Sequence, residues 1–218
     1  MTTPYSLDLL WQQGVDEKYF AAARNALVKA TTALGLTDKL SVVTIGTHAD
    51  IEKIINAARL ASASMARPPQ AHVDVVNLWI ESRRWRSSDK KGCAIMLVND
   101  DLGCFDEEFV FGAADLGIGG TVSTYRFVRD DRILDPIGLF ETLVMHELGH
   151  AIGAANPERG RDIELWDGPH CTNLCVMQQR DDLPEFEADV LPVARTAQPY
   201  CAQCVHDVQK FFCGYFAA

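Results

Sequence analysis

A chain of 218 residues with 48% apolar and 23% charged residues has an ordinary globular composition and enough length to bury a core without disulfide support. Its formal net charge of −10 excludes nucleic acid and anionic membrane as expected partners, because both repel an acidic surface. The opening Met1-Thr2-Thr3-Pro4-Tyr5-Ser6 carries no basic segment followed by an apolar run, and the best apolar run, residues 93–98, is far shorter than a membrane span. A cytoplasmic location is the expectation, with export by a route that needs no signal peptide left open.

In chain order, residues 16–33 read as a helix carrying Tyr19, Phe20, Ala23 and Leu27. Residues 40–45 are β-rich and stop at Gly46, the pattern of a strand. Asp50 is placed to cap a helix reaching about Met65, which Arg67-Pro68-Pro69 then breaks. Residues 73–80 and 93–98 read as the next strands. The intervening 81–92, with Arg83, Arg84, Arg86, Lys90 and Lys91, reads as a solvated loop ahead of a local anion site. Residues 109–112 and 120–128 read as short strands, with Gly117, Gly119 and Gly120 marking a bend.

The strongest helix signal comes next. Asp135 is a good cap, Pro136 suits the first helical position, and Gly153 offers a left-handed end. Beyond Gly153 the chain turns irregular and cysteine-rich, with a closing helix expected over 202–216 on Val205, Val208, Phe212 and Tyr215. The order suggests two subdomains, 1–153 and 154–218.

The helix carries His146-Glu147-Leu148-Gly149-His150. Residues four apart share one helical face, so both imidazoles reach one metal ion. Glu147 lies one position past the first histidine and can address the open coordination site. Zinc brings a bound water to a pKa of about 7, and a carboxylate then removes its proton. Glu147 is the candidate general base. Two surface histidines beside a solvated glutamate is the bland alternative. The good cap, the apolar Leu139, Leu143 and Leu148, and the HExxHxxG extension to Gly153 weigh against it.

Five of the seven cysteines lie after residue 170. Cys171 and Cys175, then Cys201 and Cys204, form pairs whose spacing suits tetrahedral sulfur coordination, with two disulfides or free thiols as the alternative. Cys93, Cys104 and Cys213 read as core residues or bystanders, and His48, His72 and His206 as ordinary histidines.

After the HExxHxxG helix, His170-Cys171, Cys175-Val176-Met177 and Cys201-Ala202-Gln203-Cys204 together resemble the archaemetzincin signature, a likeness covering roughly residues 93–213. The resemblance implies an α+β, metzincin-like fold. An upper subdomain would hold a twisted mixed sheet, the N-terminal helical extension and the zinc-binding helix. A lower, irregular subdomain would end in a helix. It implies two zinc ions: a catalytic one on His146, His150 and His170, above Met177 at a methionine turn, and a structural one on Cys171, Cys175, Cys201 and Cys204.

Residues 156–169 depart from the family spacing as an insertion before the third histidine, and Asn156, Asp162, Glu164 and Asp167 are rivals for that ligand. The implied function is a zinc metallopeptidase, endopeptidase or aminopeptidase, that hydrolyses peptides or proteins by metal-activated water. The substrate would lie along an antiparallel edge strand near residues 119–125, and no tyrosine shortly follows Met177 to support an oxyanion. Alternatives are a zinc-stabilised protein-binding module with decayed activity, or an exported metallopeptidase effector. Asp181, Asp182, Glu185, Glu187 and Asp189 would give the pocket wall a negative potential favouring a basic residue after the scissile bond, unless they form a solvated face.

Overall fold

The computed structural model describes residues 5–46, 49–64, 73–85, 92–104, 107–165, 168–180 and 182–215. The chain opens with a strand that the sequence reading does not anticipate, β1 (Tyr5–Trp11). Asp16 then caps α1 (Glu17–Ala33) by accepting from the Lys18 amide at 3.0 Å. β2 (Leu40–Gly46) and α2 (Ala49–Ala63) come next, as expected; the Asp50 side chain and the 67–69 breaker lie outside the described residues.

Residues 73–80 overturn their strand reading. Only β3 (Val73–Asp74) is extended, and α3 (Val75–Trp85) begins at once. Asp74 accepts the Asn77 amide at 3.1 Å, a cap for the new helix, while Val75 and Leu78, three apart, are buried. A cap and a buried helical stripe outweigh the β preference of Val75 and Val76.

β4 (Gly92–Val98), β5 (Leu102–Cys104), β6 (Glu107–Val110), β7 (Gly112–Asp115) and β8 (Gly119–Ser123) are the remaining strands before the long helix. The 109–112 segment is therefore divided between two strands. The 120–128 strand ends at Ser123, where the chain turns and Arg126 pairs with Asp101 at 2.8 Å.

The main sheet has the order β2-β1-β4-β8-β7, parallel except for β7, which runs antiparallel to β8. β3, β5 and β6 form a small separate sheet. The substrate-strand expectation at 119–125 is corrected by this order. β8 is internal, paired on both sides, and the antiparallel edge is β7.

Side chains alternate across the sheet. Leu7, Leu9, Cys93, Ile95 and Leu97 join the core on one face, and Leu10, Met96 and Val98 join Ile51, Ile55 and Leu78 on the other. Burial on both faces explains why β4 reads as an unbroken apolar run.

α4 (Pro136–Ala151) covers the first face beside α1. Asp135 accepts the Gly138 amide at 3.0 Å, and nearly every residue from Leu139 to Ala151 is buried, so the helix is enclosed on most sides and not just along one stripe. It ends at Gly153, which has φ +86° and packs where a Cβ would meet Phe211 at 2.8 Å.

Beyond it a hairpin of β9 (Ile163–Glu164) and β10 (His170–Cys171) leads to α5 (Leu183–Asp189), α6 (Leu191–Ala194) and α7 (Ala202–Tyr215). α5 and α6 have no counterpart in the sequence reading. Their Leu183, Phe186, Leu191 and Ala194 are buried. None of the described helices is long and apolar enough to cross a membrane.

Candidate active site and cysteine cluster

α4 sets His146 and His150 one turn apart on the same face, and their Nε2 atoms lie 3.0 Å from each other. The β9–β10 hairpin returns the chain to this face. It places the His170 ring 5.2 Å from His146 and 4.8 Å from His150, centroid to centroid. One nitrogen from each of the three rings falls within a 4.8 Å group.

The His146 Nδ1–H donates to the Val176 carbonyl at 2.8 Å, which leaves Nε2 as a bare lone pair turned to the cluster. Burial drives the His146 imidazolium down to a pKa of about 3, with His170 adding to the effect. Burial likewise pushes His150 well below its ordinary value. These are neutral imidazole donors, and tetrahedral zinc ligands stand about 3.3 Å apart, so the set fits a zinc ion.

The rival donors are elsewhere. The Asn156 side chain accepts the Glu158 amide at 2.9 Å, and Asp162 accepts from Gln203 at 2.8 Å. Glu164 stands opposite His170 in the hairpin and does not join the cluster. Asp167 lies outside the described residues.

Glu147 is 5% exposed. It lies against the edge of the sheet. A Cβ on Gly112 would come within 2.8 Å of its Oε1, and one on Gly120 within 3.3 Å of its Cβ. The bare backbone at the start of β7 therefore makes room for the carboxylate. The sequence reading missed this role for Gly112, whose only signal was a glycine closing an aromatic β-rich stretch.

The other side of α4 meets Met177. A Cβ on Gly149 would sit 2.2 Å from its Sδ. Tyr200, fully buried, donates its hydroxyl to the Met145 carbonyl at 2.7 Å, and the Phe186 ring meets the His146 ring edge-on at 5.7 Å.

Cys171, Cys175, Cys201 and Cys204 also converge. Cys171 and Cys201 sulfurs are 3.7 Å apart, and Cys175 and Cys204 sulfurs 4.0 Å. The four lie within 4.8 Å of one another as free thiols. A disulfide requires about 2.05 Å, whereas sulfurs around one zinc are separated by about 3.8 Å, so the donor set fits a second metal ion. Hydrogen bonding among the crowded sulfurs holds the Cys171 thiol down at about 6 and pushes Cys175 up. Of the remaining cysteines, Cys93 is core and Cys104 half-buried; the Cys213 side chain, His48 and His72 lie outside the described residues, and His206 is exposed.

The acidic run is engaged locally. Asp182 caps α5 by accepting the Glu185 amide at 2.8 Å, Glu187 accepts the amides of Leu134 and Asp135, and Asp189 pairs with Arg180 at 2.8 Å. Asp181 lies outside the described residues.

No protein-family model matches the chain. Residues along 55% of it are 29% identical, over 119 positions, to the archaemetzincin of Nanoarchaeum equitans, and the match spans 54% of that relative's length. Among solved structures, the archaemetzincin of Methanopyrus kandleri superposes with a TM-score of 0.60 at 19% identity, covering 96% of each chain. That of Archaeoglobus fulgidus gives 0.57 at 16% identity over 94% of this chain and 99% of its own. A zinc-dependent peptidase of Methanocorpusculum labreanum gives 0.56 at 18% identity over 93% and 99%. The fold is the metzincin-like fold of these archaemetzincins. The chain is archaemetzincin-like, in its sequence over half its length and in its fold over nearly all of it.

Proposed function

We propose that the protein is a zinc-dependent peptidase with two zinc ions. His146, His150 and His170 would hold the catalytic zinc, with Met177 of the methionine turn packed against their helix at Gly149, Glu147 is the general base, and Cys171, Cys175, Cys201 and Cys204 would hold a structural zinc. The observation that carries this reading is the convergence of three imidazoles, those of His146 and His170 buried and that of His150 half-buried, beside a buried carboxylate that lies against the sheet's edge strand β7. In this reading residues 1–153 and 154–218 are upper and lower subdomains around the cleft. Residues 156–169 are an insertion, part of which becomes the strand opposite His170.

A zinc ion in the three-histidine site would polarise the scissile carbonyl and acidify the attacking water. The chain's own groups do the rest. Among the described residues β7 is the outermost strand of the sheet, and its outer side would offer backbone donors and acceptors to an extended peptide, as in strand addition. Glu147 takes the proton from the attacking water and returns it to the departing amine nitrogen. Val176 fixes the His146 tautomer through its carbonyl. Tyr200 is already committed to Met145, so the protonated Glu147 is the chain's own group for the developing oxyanion, beside whatever charge a bound zinc would supply.

Glu147→Ala tests the assignment. It should keep the fold and both zinc ions while cleavage of a peptide library disappears; turnover comparable to the parent protein would refute the base.

A further inference from the structure

We propose that Arg159 is a positioning residue of the four-cysteine site, through which the 156–169 segment takes part in holding the structural metal. This rests on the four-cysteine zinc of the proposed function. Arg159 belongs to a short 3-10 turn, residues Pro157–Arg159, started by the Asn156 side chain. Its side chain is only 7% exposed.

The guanidinium fork is used on both arms. Nη2 donates to the Cys171 sulfur at 3.2 Å and to the Asp162 carbonyl at 2.7 Å. Nη1 reaches the Cys204 sulfur at 3.7 Å and Asp207 at 3.2 Å, while Nε donates to the Arg161 carbonyl at 3.1 Å. One side chain thus touches a sulfur from each cysteine pair, the hairpin's Cys171 and the helix's Cys204.

The chemistry favours a cation there. Four thiolates around a divalent ion leave two negative charges in a largely buried cluster, and buried charge is costly without compensation. Charge-assisted N–H donors to sulfur lower that cost, and a planar guanidinium serves two acceptors at once where an ammonium serves as a point. Asp207, 6% exposed, orients the fork and also accepts the Asn156 amide at 3.1 Å, tying down the start of the same segment. Asn173 adds a neutral donor 3.6 Å from Cys171 and 3.8 Å from Cys201. Arg159 is the charged member of this shell. Because Cys171 comes directly after His170, the grip also steadies the strand that presents the third imidazole.

Cobalt(II) titration of the metal-free, reduced full chain tests this, read at the thiolate-to-metal charge-transfer band, which reports sulfur ligation and not the histidine site. The parent protein should develop the band, and Cys201→Ser should not develop it in its tetrahedral form. Arg159→Met should form it with affinity lowered about ten- to hundredfold, the usual cost of losing an outer-shell partner, with Arg159→Lys in between.

Because Arg159→Met leaves Asp207 buried without its partner, Arg159→Met/Asp207→Leu is titrated as well. A double variant as weak as the single one supports the proposal. Full recovery in the double variant would mean that Arg159 only neutralises Asp207, and unchanged affinity in all Arg159 variants would mean that it does nothing for the metal; either overturns it. A parent protein without the band would instead overturn the four-cysteine reading, and this inference with it.

Discussion

At the scale of single residues, two glycines make room for side chains at the candidate site. Gly112 leaves the space that the Glu147 carboxylate occupies, 2.8 Å from where a Cβ would stand. Gly112→Ala should therefore swing the carboxylate, the flexible partner, and leave the imidazoles in place. Displacement of a reacting group by about 1 Å costs on the order of a hundredfold in rate. We expect a loss of that order in kcat/KM with unchanged zinc content, measured on a fluorogenic peptide. Gly149 faces Met177 at closer range, 2.2 Å, and there the neighbour is fully buried. Gly149→Ala should cost about 1–3 kcal/mol by overpacking, seen as a lower denaturation midpoint in urea.

At the scale of elements, the carrier of the site is α4, and its start is held from two directions. Asp135 caps it and also pairs with Arg195, while Glu187 of α5 accepts the amides of Leu134 and Asp135. Replacing a capping aspartate by alanine costs about 1 kcal/mol. Asp135→Ala and Glu187→Ala should each lower stability on that order, and they should couple in a double-mutant cycle because they support one helix end. The same arrangement explains why the acidic run need not set specificity: Asp182, Glu187 and Asp189 already serve helix ends and an ion pair. If a preference for Lys or Arg after the scissile bond survives Glu187→Gln, it does not originate in that carboxylate.

At the scale of the whole molecule, the cysteine cluster is a support that, among the described residues, only the region after Gly153 has. The sheet and α1, α2, α3 and α4 enclose apolar cores on both faces. The region after Gly153 adds Val176, Met177, Phe186, Tyr200 and Val208 to one of these cores, but its strands and its helices α5 and α6 are short and it also carries the cysteine cluster. Metal binding by such a cluster is coupled to folding. Cys201→Ser, or exhaustive chelation under reducing conditions, should raise hydrogen exchange across residues 168–215 first, while β1 and β4 stay protected. Simultaneous, equal loss of protection in both halves would show that the cluster is not a separate support. Elemental analysis of the reduced protein should give two zinc ions per chain.

Some of this architecture is written locally and is legible in the sequence. Asp135, Pro136 and Gly153 mark the ends of α4 because caps and left-handed turns are decided by adjacent atoms. The period of four puts His146 and His150 on one side of the helix for the same reason. The spacing of Cys171, Cys175, Cys201 and Cys204 points to a metal cluster, and the cluster geometry has those sulfurs together. Other features needed the folded chain. Val73–Asp74 is a strand only because β5 pairs with it, and the residues from Val75 onward are helical because their buried stripe meets α2. β7 rather than β8 is the antiparallel edge because strand order is set by long-range pairing, which no local pattern encodes. The place of His170 beside the other two imidazoles, of Gly112 under Glu147, and of Arg159 against the sulfurs all join residues far apart in sequence or separated by a turn. Such contacts depend on how elements pack against each other, and only the tertiary structure decides that.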